Sequence, residues 1–337
     1  MGSRTRLQTP PTLLLSGSDV RALLDMDSCI AAVADAFRAR DERATLPSSV
    51  LGTQTPDGTF HVKVAGLTRS RSYYAAKINA NYPDNPARHG LPSIQGVVSL
   101  HDATNGVLLA LLDSIEITTL RTAAATAVAA RYLARAGAGV ATIIGCGTQG
   151  RSQLRALTRV RAIHIAFAYD SDPATALAYA AEMSRELDFD VRAVSDYRAA
   201  VRRSDIVVTC TPARAPLLAA SDVPRGVFIA AVGADGESKQ ELEPSVLAIG
   251  TVVVDVLEQC ATIGELHHAL AAGVMRRDAV HAELAEVVSG RRSGRTSDPE
   301  VTIFDSTGTA LEDVAAAALV YERALAQGRG QQVRLAV

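Results

Sequence analysis

The sequence contains no tryptophan, and aromatic residues make up only 4% of its 337 positions. Alanine and valine are abundant instead, so the core must be built from small aliphatic side chains that pack closely. Such cores are typical of helices that lie against a parallel sheet. The chain is also longer than one ordinary hydrophobic core supports, which predicts two domains.

Neither sign of charge dominates the composition. Charged residues account for 21% and the formal net charge is −2. This balance gives no general attraction to nucleic acids or to anionic lipid surfaces. We therefore expect neither nucleic acid nor a membrane as a partner.

Long hydrophobic runs are missing from the start of the chain. The only apolar run there is Leu-Leu-Leu at residues 13–15. It is too short for the core of a signal peptide or for a membrane span. The sequence thus predicts a cytoplasmic protein.

Cysteine is scarce and scattered, with four residues and no C-x-x-C pair. Neither a disulfide framework nor a zinc site is indicated, so we expect buried free thiols. The seven histidines form no acid/base or ligand pattern either, since His267 and His268 are adjacent and cannot share one helix face. We predict no metal.

The first third of the chain combines helical and strand-like patterns. Residues 16–43 carry apolar side chains at three-to-four spacing, which predicts a helix. Residues 50–112 contain short β-branched runs between turn clusters, which predict a small mixed sheet, mostly antiparallel. An Ala-rich helix is expected over residues 117–135, ended by Gly137 and Gly139.

From residue 140 onward, short apolar runs alternate with helical segments. Helices are expected over residues 149–160 and 174–187, one more strand over 301–304 and a last helix over 311–326. Alternation of this kind implies a parallel sheet with right-handed crossovers. The other predicted strands are residues 140–144, 163–169, 206–209, 227–232 and 252–256.

A glycine-rich loop follows the first of these strands and opens a helix. It has the G-x-G-x-x-G pattern of dinucleotide-binding sites. Gly145 permits the tight turn, Gly147 lets the main chain approach a pyrophosphate, and Gly150 lets the helix pack against the sheet. The simpler alternative is a glycine turn in an ordinary strand-helix unit. The predicted cofactor-binding residues are Gly145, Gly147, Thr148, Gln149 and Gly150.

The next strand ends in Asp170, twenty residues after Gly150. A carboxylate at this point can accept hydrogen bonds from both adenosine ribose hydroxyls. It favours NAD over NADP, because a 2′-phosphate would meet a negative charge. Asp172 is a competing candidate, but Asp172-Pro173 is typical of a helix N-cap and first turn.

Five blocks resemble those of the ornithine cyclodeaminase and mu-crystallin family, in the family's order and with compatible spacing. They are KINANYPDNPARHGLPSIQGVVSL, LLALLDSIEITTLRTAAATAVAARYLA, IIGCGTQG, AVGADGESKQEL and TIFDSTGTALEDVAAA. The resemblance implies a homodimer and an α/β fold, in which a Rossmann-type doubly wound parallel sheet is inserted into a smaller α+β domain. The smaller domain, for substrate binding and dimerisation, would comprise residues 1–117 and 311–337. The NAD-binding domain would comprise residues 118–310.

The resemblance also implies three catalytic residues: Lys77, Arg121 and Asp235. Chemistry supports each one. The guanidinium of Arg121 offers two parallel donors to a substrate carboxylate. A desolvated Lys77 can exchange a proton. Asp235 lies beyond a parallel strand, where ligands of such sheets bind. The simpler alternatives are a surface ion pair for Arg121, an edge-strand position for Lys77 and a turn-forming role for Asp235.

Four further positions follow from the resemblance. Ser93 stands where relatives commonly have threonine near the nicotinamide and is expected to contact the substrate. The other three, Thr118, Ser306 and Gly308, fall in segments that line the cofactor in relatives.

The sequence departs from the family pattern at a second arginine, expected in a Pro-x-Arg segment. Residues 47–49 are Pro-Ser-Ser here, and a later Met-Pro segment is replaced by HVKVAG. We hypothesise that Lys63 takes over part of the missing charge and binds substrate. The stretch VLEQCATIGELHHAL also lacks the Arg-x-Glu-Gly-Glu run associated with cyclodeaminases.

These observations favour an NAD-dependent amino-acid dehydrogenase or imine reductase, in which hydride crosses between the substrate α-carbon and nicotinamide. Arg121 and Lys77 would orient the substrate and Asp235 would handle the proton. The first alternative is an ornithine cyclodeaminase, which releases ammonia and recycles NAD. The second is a cofactor-binding protein without turnover.

Overall fold

The computed structural model describes residues 10–335, so the parts of the predicted smaller domain at residues 1–9 and 336–337 lie outside the described residues. Up to residue 133 the elements are β1 (Thr12–Leu15), α1 (Gly17–Leu23), α2 (Met26–Asp41), β2 (Thr45–Thr55), β3 (Gly58–Thr68), β4 (Ser72–Asn81), α3 (Asn85–His89), β5 (Ile94–Asp102), β6 (Leu108–Asp113) and α4 (Ser114–Leu133).

The remaining elements belong mostly to an alternation of strands and helices, with short 3-10 turns at Ala220–Asp222 and Arg277–Ala279. They are β7 (Val140–Ile144), α5 (Thr148–Thr158), β8 (Ile165–Tyr169), α6 (Pro173–Leu187), β9 (Asp190–Ala193), α7 (Tyr197–Val201), β10 (Ile206–Thr209), β11 (Arg214–Leu218), β12 (Phe228–Ala231), β13 (Gln240–Leu242), α8 (Pro244–Ile249), β14 (Thr251–Val254), α9 (Leu257–Ile263), α10 (Glu265–Ala271), β15 (Ala282–Glu283), α11 (Leu284–Val288), β16 (Thr302–Asp305), α12 (Ala310–Gln327) and β17 (Gln331–Val333).

The described chain divides into two compact units. The first takes residues 10–32, 42–121 and 310–335, and the second takes residues 33–41 and 122–309. The sequence had assigned residues 33–41 to the same domain as the N-terminus. They belong to the second unit, where Arg40 forms an ion pair with Glu283 at 2.9 Å.

The first unit is built on a seven-stranded sheet in the order β17-β1-β6-β5-β4-β3-β2. The β1–β6 pair is parallel and the other pairs are antiparallel, which confirms the predicted mixed, mostly antiparallel sheet. Helix α12 packs on β3 and β4. Because neighbouring residues of a strand point to opposite faces, one face of β3 and β4 is covered by α12.

The second unit is built on an eight-stranded sheet in the order β15-β14-β16-β12-β10-β7-β8-β9. Every pair in it is parallel. The chain runs outward in one direction through β7, β8 and β9, and in the other direction through β10 and β12. The order therefore reverses beside β7, at the carboxyl edge where doubly wound sheets bind ligands. The predicted Rossmann-type fold is confirmed.

The single helix expected over residues 16–43 is two helices in the structure. Leu24 is extended at φ −119° and ψ 104°, and the Asp25 carboxylate accepts a hydrogen bond from the Ser28 backbone N–H at 2.9 Å. This side chain caps the start of α2. The three-to-four spacing of apolar residues continues from α1 into α2, which is why the sequence predicted one helix. Among the described residues, no helix has the length and apolar character that a bilayer crossing requires.

Candidate active site

The first unit contains a group of five buried charged side chains that we call the charge cluster: Lys63, Lys77, Arg121, Glu312 and Asp313. None exposes more than 8% of its surface. Lys63 and Lys77 lie directly opposite each other on β3 and β4. Paired positions in an antiparallel sheet share a face, so both lysines project to the same side. Arg121 comes from α4, and the two carboxylates come from the first turn of α12.

Direct contacts join the two carboxylates to two of the cations. The Lys77 ammonium donates to Asp313 Oδ1 at 2.8 Å and to Thr118 Oγ1 at 3.3 Å. Arg121 Nη1 donates to Glu312 Oε2 at 2.8 Å, and Arg121 Nε lies 3.0 Å from Asp313 Oδ1. Asp313 therefore bridges the lysine and the arginine.

The electrostatics of the cluster bring Lys77 into the neutral pH range. Burial, with Arg121 and Lys63 as neighbouring cations, lowers the pKa of Lys77 to about 7, although Asp313 acts in the opposite direction. Burial also disfavours the charged form of Asp313, but Lys77 and Arg121 outweigh it and lower the pKa of that carboxyl. Lys77 can thus exchange a proton near neutral pH.

Two of the simpler alternatives from the sequence are wrong. Lys77 does not lie on an edge strand, because β4 is hydrogen-bonded to β3 on one side and to β5 on the other. Arg121 does not form a surface ion pair, because its side chain is buried. The sequence interpretation missed Glu312 and Asp313. The available signal was two adjacent carboxylates in LEDVAAAA, at the start of an otherwise apolar helix.

The glycine loop in the second unit has the shape that a dinucleotide requires. Gly145 has φ +103°, and an added Cβ would lie 2.9 Å from the Cys210 carbonyl oxygen. A Cβ at Gly150 would lie 2.1 Å from the Gly145 carbonyl oxygen, whereas one at Gly147 would meet no atom within 4 Å. Gly145 and Gly150 are thus needed by the fold, and the space beside Gly147 is open to a pyrophosphate. Helix α5 then begins at Thr148, followed by Gln149, so its N-terminus faces this space.

Asp170 follows β8 and lies against the same loop. Its Oδ2 accepts a hydrogen bond from the Cys146 backbone N–H at 2.9 Å. Asp172 caps α6 by accepting from the Ala174 and Thr175 N–H groups, which confirms its predicted N-cap role. Asp170 Oδ1 also accepts from the Asp172 backbone N–H at 3.0 Å, so both carboxylates already bind main-chain groups. Asp170 fits an adenosine ribose better because it lies against the glycine loop, whereas Asp172 contacts α6.

Asp255, which the sequence interpretation missed, binds the backbone of the segment after β16. Asp255 Oδ2 accepts from the backbone N–H groups of Thr307 and Gly308, both at 2.7 Å. Ser306 is buried at the end of the strand, and Gly308 has φ +74°. The loop therefore has a fixed conformation beside the carboxyl edge of the sheet.

The remaining predicted residues, Ser93 and Asp235, belong to different units. Ser93 is half-buried in the first unit, and its carbonyl accepts from the Tyr82 N–H at 2.7 Å. Asp235 follows β12 in the second unit, has a side chain 53% exposed, and forms an ion pair with Lys239. Its approach to Lys77 and Arg121 stays a prediction.

Comparison with known proteins identifies relatives along nearly the whole chain. A family model described as "Ornithine cyclodeaminase/mu-crystallin family" matches residues 11–328. The chain is 40% identical to an uncharacterised cyclodeaminase of Sinorhizobium fredii, over 95% of this chain and 98% of that one.

Two solved structures are also similar. One is an archaeal alanine dehydrogenase dimer with bound NAD, 37% identical with a TM-score of 0.92, over 97% of this chain and all of that one. The other is a Thermococcus litoralis Δ1-pyrroline-2-carboxylate reductase in complex with NADH and L-proline, 35% identical with a TM-score of 0.91, over 96% of this chain and all of that one.

Proposed function

The chain belongs to the ornithine cyclodeaminase/mu-crystallin family, and we propose that it is an NAD-dependent oxidoreductase of an α-amino acid or its imine, of the alanine dehydrogenase or ketimine reductase type. The observation that carries this proposal is the charge cluster. It places three cations and two carboxylates in a buried environment. With Lys77 protonated, the cations outnumber the carboxylates, and the carboxylate of a substrate would offset the excess.

Each member of the cluster has a distinct role in this proposal. Arg121 holds the substrate carboxylate, and Glu312 and Asp313 fix the orientation of its guanidinium at 2.8 and 3.0 Å. Lys77, with its pKa lowered to about 7 by burial, donates a hydrogen bond or a proton to the substrate. Lys63 adds positive charge from the opposite strand.

The cofactor proposed for the second unit is NAD. The open space beside Gly147 and the Asp170 carboxylate fit a pyrophosphate and an adenosine ribose. Asp170 disfavours the 2′-phosphate of NADP by charge repulsion. Bound NAD supplies the hydride acceptor, or NADH the donor. Asp235 accepts or donates the proton of the substrate nitrogen. Two similar structures with bound NAD and NADH support this choice.

A substrate panel followed at the nicotinamide absorbance band tests the activity. We expect stoichiometric absorbance changes with NAD and an amino acid, or with NADH and a cyclic imine or a 2-oxo acid plus ammonium. Arg121→Lys should lower kcat/KM by roughly a hundredfold because it loses the paired donors. Arg131→Lys, at an exposed position of the same helix, is the control.

Cyclodeaminase activity is the second candidate, and it is favoured by the 40% identity to a relative of that name. Ammonia release without a net absorbance change would establish it in place of the oxidoreductase. NAD binding without turnover on any substrate would instead support a cofactor-binding protein.

A homodimer is the proposed assembly, supported by an apolar row on the sheet of the first unit. Leu51, Val62, Ile78 and Val97 pair in register across four strands. Leu51, Ile78 and Val97 are 61%, 44% and 36% exposed. Exposed apolar patches of this kind commonly mark interfaces. One similar structure is named a dimer, which favours a second copy of this chain as the partner.

Light scattering coupled to size-exclusion chromatography tests this assembly. Ile78→Glu should convert a dimer into a monomer, whereas Leu177→Glu, at an exposed position in the second unit, should not. A wild-type monomer would refute the proposal. The cytoplasmic location stays a prediction.

A further inference from the structure

Glu241 is a fully buried carboxylate that ties together two loops at the carboxyl edge of the parallel sheet. Its Oε1 accepts from the Thr211 backbone N–H at 2.6 Å and from the Thr211 hydroxyl at 2.7 Å. Its Oε2 accepts from the Gly233 N–H at 2.8 Å. Thr211 follows β10 and Gly233 follows the adjacent strand β12, so one side chain fixes the exits of both strands.

The fit between Glu241 and Gly233 excludes any larger residue at position 233. An added Cβ would lie 2.5 Å from the Glu241 carboxyl carbon and 2.3 Å from the Thr211 carbonyl oxygen. The close approach is therefore a specific feature of this loop. Asp235 continues directly from it, with its own N–H donating to the Gly233 carbonyl at 3.1 Å.

Glu241 is held in turn by a chain of buried carboxylates. Glu265 Oε1 accepts from the Glu241 N–H at 2.7 Å. Asp305 Oδ1 accepts from the Glu265 N–H at 3.1 Å, and its Oδ2 accepts from the Leu266 N–H at 2.9 Å. The loop that carries Asp235 is thereby connected, through backbone N–H groups, to the end of β16.

We propose that Glu241 is a positioning residue, which holds the Gly233–Asp235 loop in the one conformation that presents the Asp235 carboxylate for proton transfer. The role assigned to Asp235 rests on the proposed function, whereas the rigidity of the loop does not. Asp235 is half-exposed, and its ion pair with Lys239 is near the surface, so burial among packed side chains does not fix its position. Its position depends on the backbone anchored two residues earlier.

Glu241→Gln tests the rigidity of the loop without any substrate. The amide NH₂ group cannot accept a hydrogen bond, so the N–H of either Thr211 or Gly233 loses its acceptor. Hydrogen exchange followed by mass spectrometry should show roughly tenfold faster exchange in peptides covering residues 233–235, because a buried N–H donor without an acceptor destabilises the closed conformation of the loop. Residues 140–144 should be unchanged. Unchanged exchange at 233–235 would overturn the proposal, even if the wild type showed no turnover on any substrate.

Kinetics then test the link to Asp235. We expect Glu241→Gln to lower kcat about tenfold or more with little change in the KM for substrate, because misplacement of a reacting group affects the chemical step. The same substitution in an Asp235→Asn background should have almost no further effect on kcat. An equal loss in both backgrounds would contradict the proposal. Glu243→Gln, at an exposed carboxylate two residues away, is the control.

Thr211→Val covers the case in which Glu241→Gln does not fold. It removes the hydroxyl donor to Oε1 but leaves the carboxylate and its bond to Gly233 in place. A smaller acceleration of exchange at residues 233–235 supports the positioning role. No acceleration in this variant would count against it.

Discussion

The Lys77→Met substitution removes an ammonium group from the charge cluster and keeps most of the side-chain volume. Burial lowers the pKa of Lys77 from its ordinary value of 10.5 to about 7. Each pH unit of such a difference corresponds to about 1.4 kcal/mol. At pH 7 the unfolded chain is fully protonated at this lysine, whereas the folded chain is about half protonated. The free energy of unfolding of the wild type is therefore lower, by roughly 4 kcal/mol, than it would be if Lys77 had the same pKa in the folded and unfolded states.

The sign of this effect predicts how the difference between the two proteins changes with pH. Because the unfolded state binds more protons between pH 7 and 10.5, the wild type gains stability as the pH rises through that window. Lys77→Met lacks the group and gains none of it. The free energy of unfolding of Lys77→Met should thus exceed that of the wild type by roughly 4 kcal/mol at pH 7 and by about 1 kcal/mol at pH 10. Asp313 lies 3.0 Å from Arg121 Nε, and we expect this contact to be kept in the variant.

Urea denaturation at pH 7 and pH 10 measures this difference. Asp313→Asn is the matched opposite, because it removes the carboxylate that bridges Lys77 and Arg121, and should destabilise the fold by about 3 kcal/mol. Lys77→Met should also abolish turnover, which would show that the buried ammonium is retained for activity at a cost in stability. A Lys77→Met protein less stable than the wild type at pH 7, or one with a difference independent of pH, would refute the reasoning.

Three further predictions concern the cofactor loop, a helix cap and the substrate charge. Gly147→Ala should leave the thermal midpoint of unfolding unchanged but weaken NADH binding, measured by fluorescence titration. Gly150→Ala should unfold at a lower temperature, because its Cβ would lie 2.1 Å from the Gly145 carbonyl oxygen. Equal thermal midpoints for the two variants would contradict this difference. Asp172→Ala should lower the free energy of unfolding by about 1 kcal/mol through loss of the α6 cap, measured by urea denaturation. Lys63→Ala should raise the KM for the substrate, and an unchanged KM for every substrate would disprove a role in binding.

Much of the second unit could be predicted because its determinants are local in sequence. β7 and β10 were predicted with the bounds observed. Runs of β-branched residues between helical segments leave few arrangements besides a parallel sheet. The glycine loop and the Asp172 cap depend on backbone requirements within a few residues, so the sequence alone determines them.

Strand β1 and the edge strand β17 were missed for the opposite reason. Leu13 and Leu14 pair with Gln332 and Gln331 at the far end of the chain. Short strands of this kind have too few residues for a periodic pattern, and their pairing depends on where the rest of the sheet lies. The break between α1 and α2 was also hidden, because the apolar spacing continues through it.

For the charge cluster, the sequence determined the local elements and the tertiary structure determined the contacts. The sequence determined that Lys77 lies in a strand and Arg121 in a helix, since both patterns are local. Only the tertiary structure decided that Asp313, more than two hundred residues from Lys77, lies 2.8 Å from its ammonium group. The pKa of a buried group depends on desolvation and on charges that come from distant parts of the chain. Such neighbours are brought together by the packing of α12 on the sheet, and no spacing in the sequence shows them.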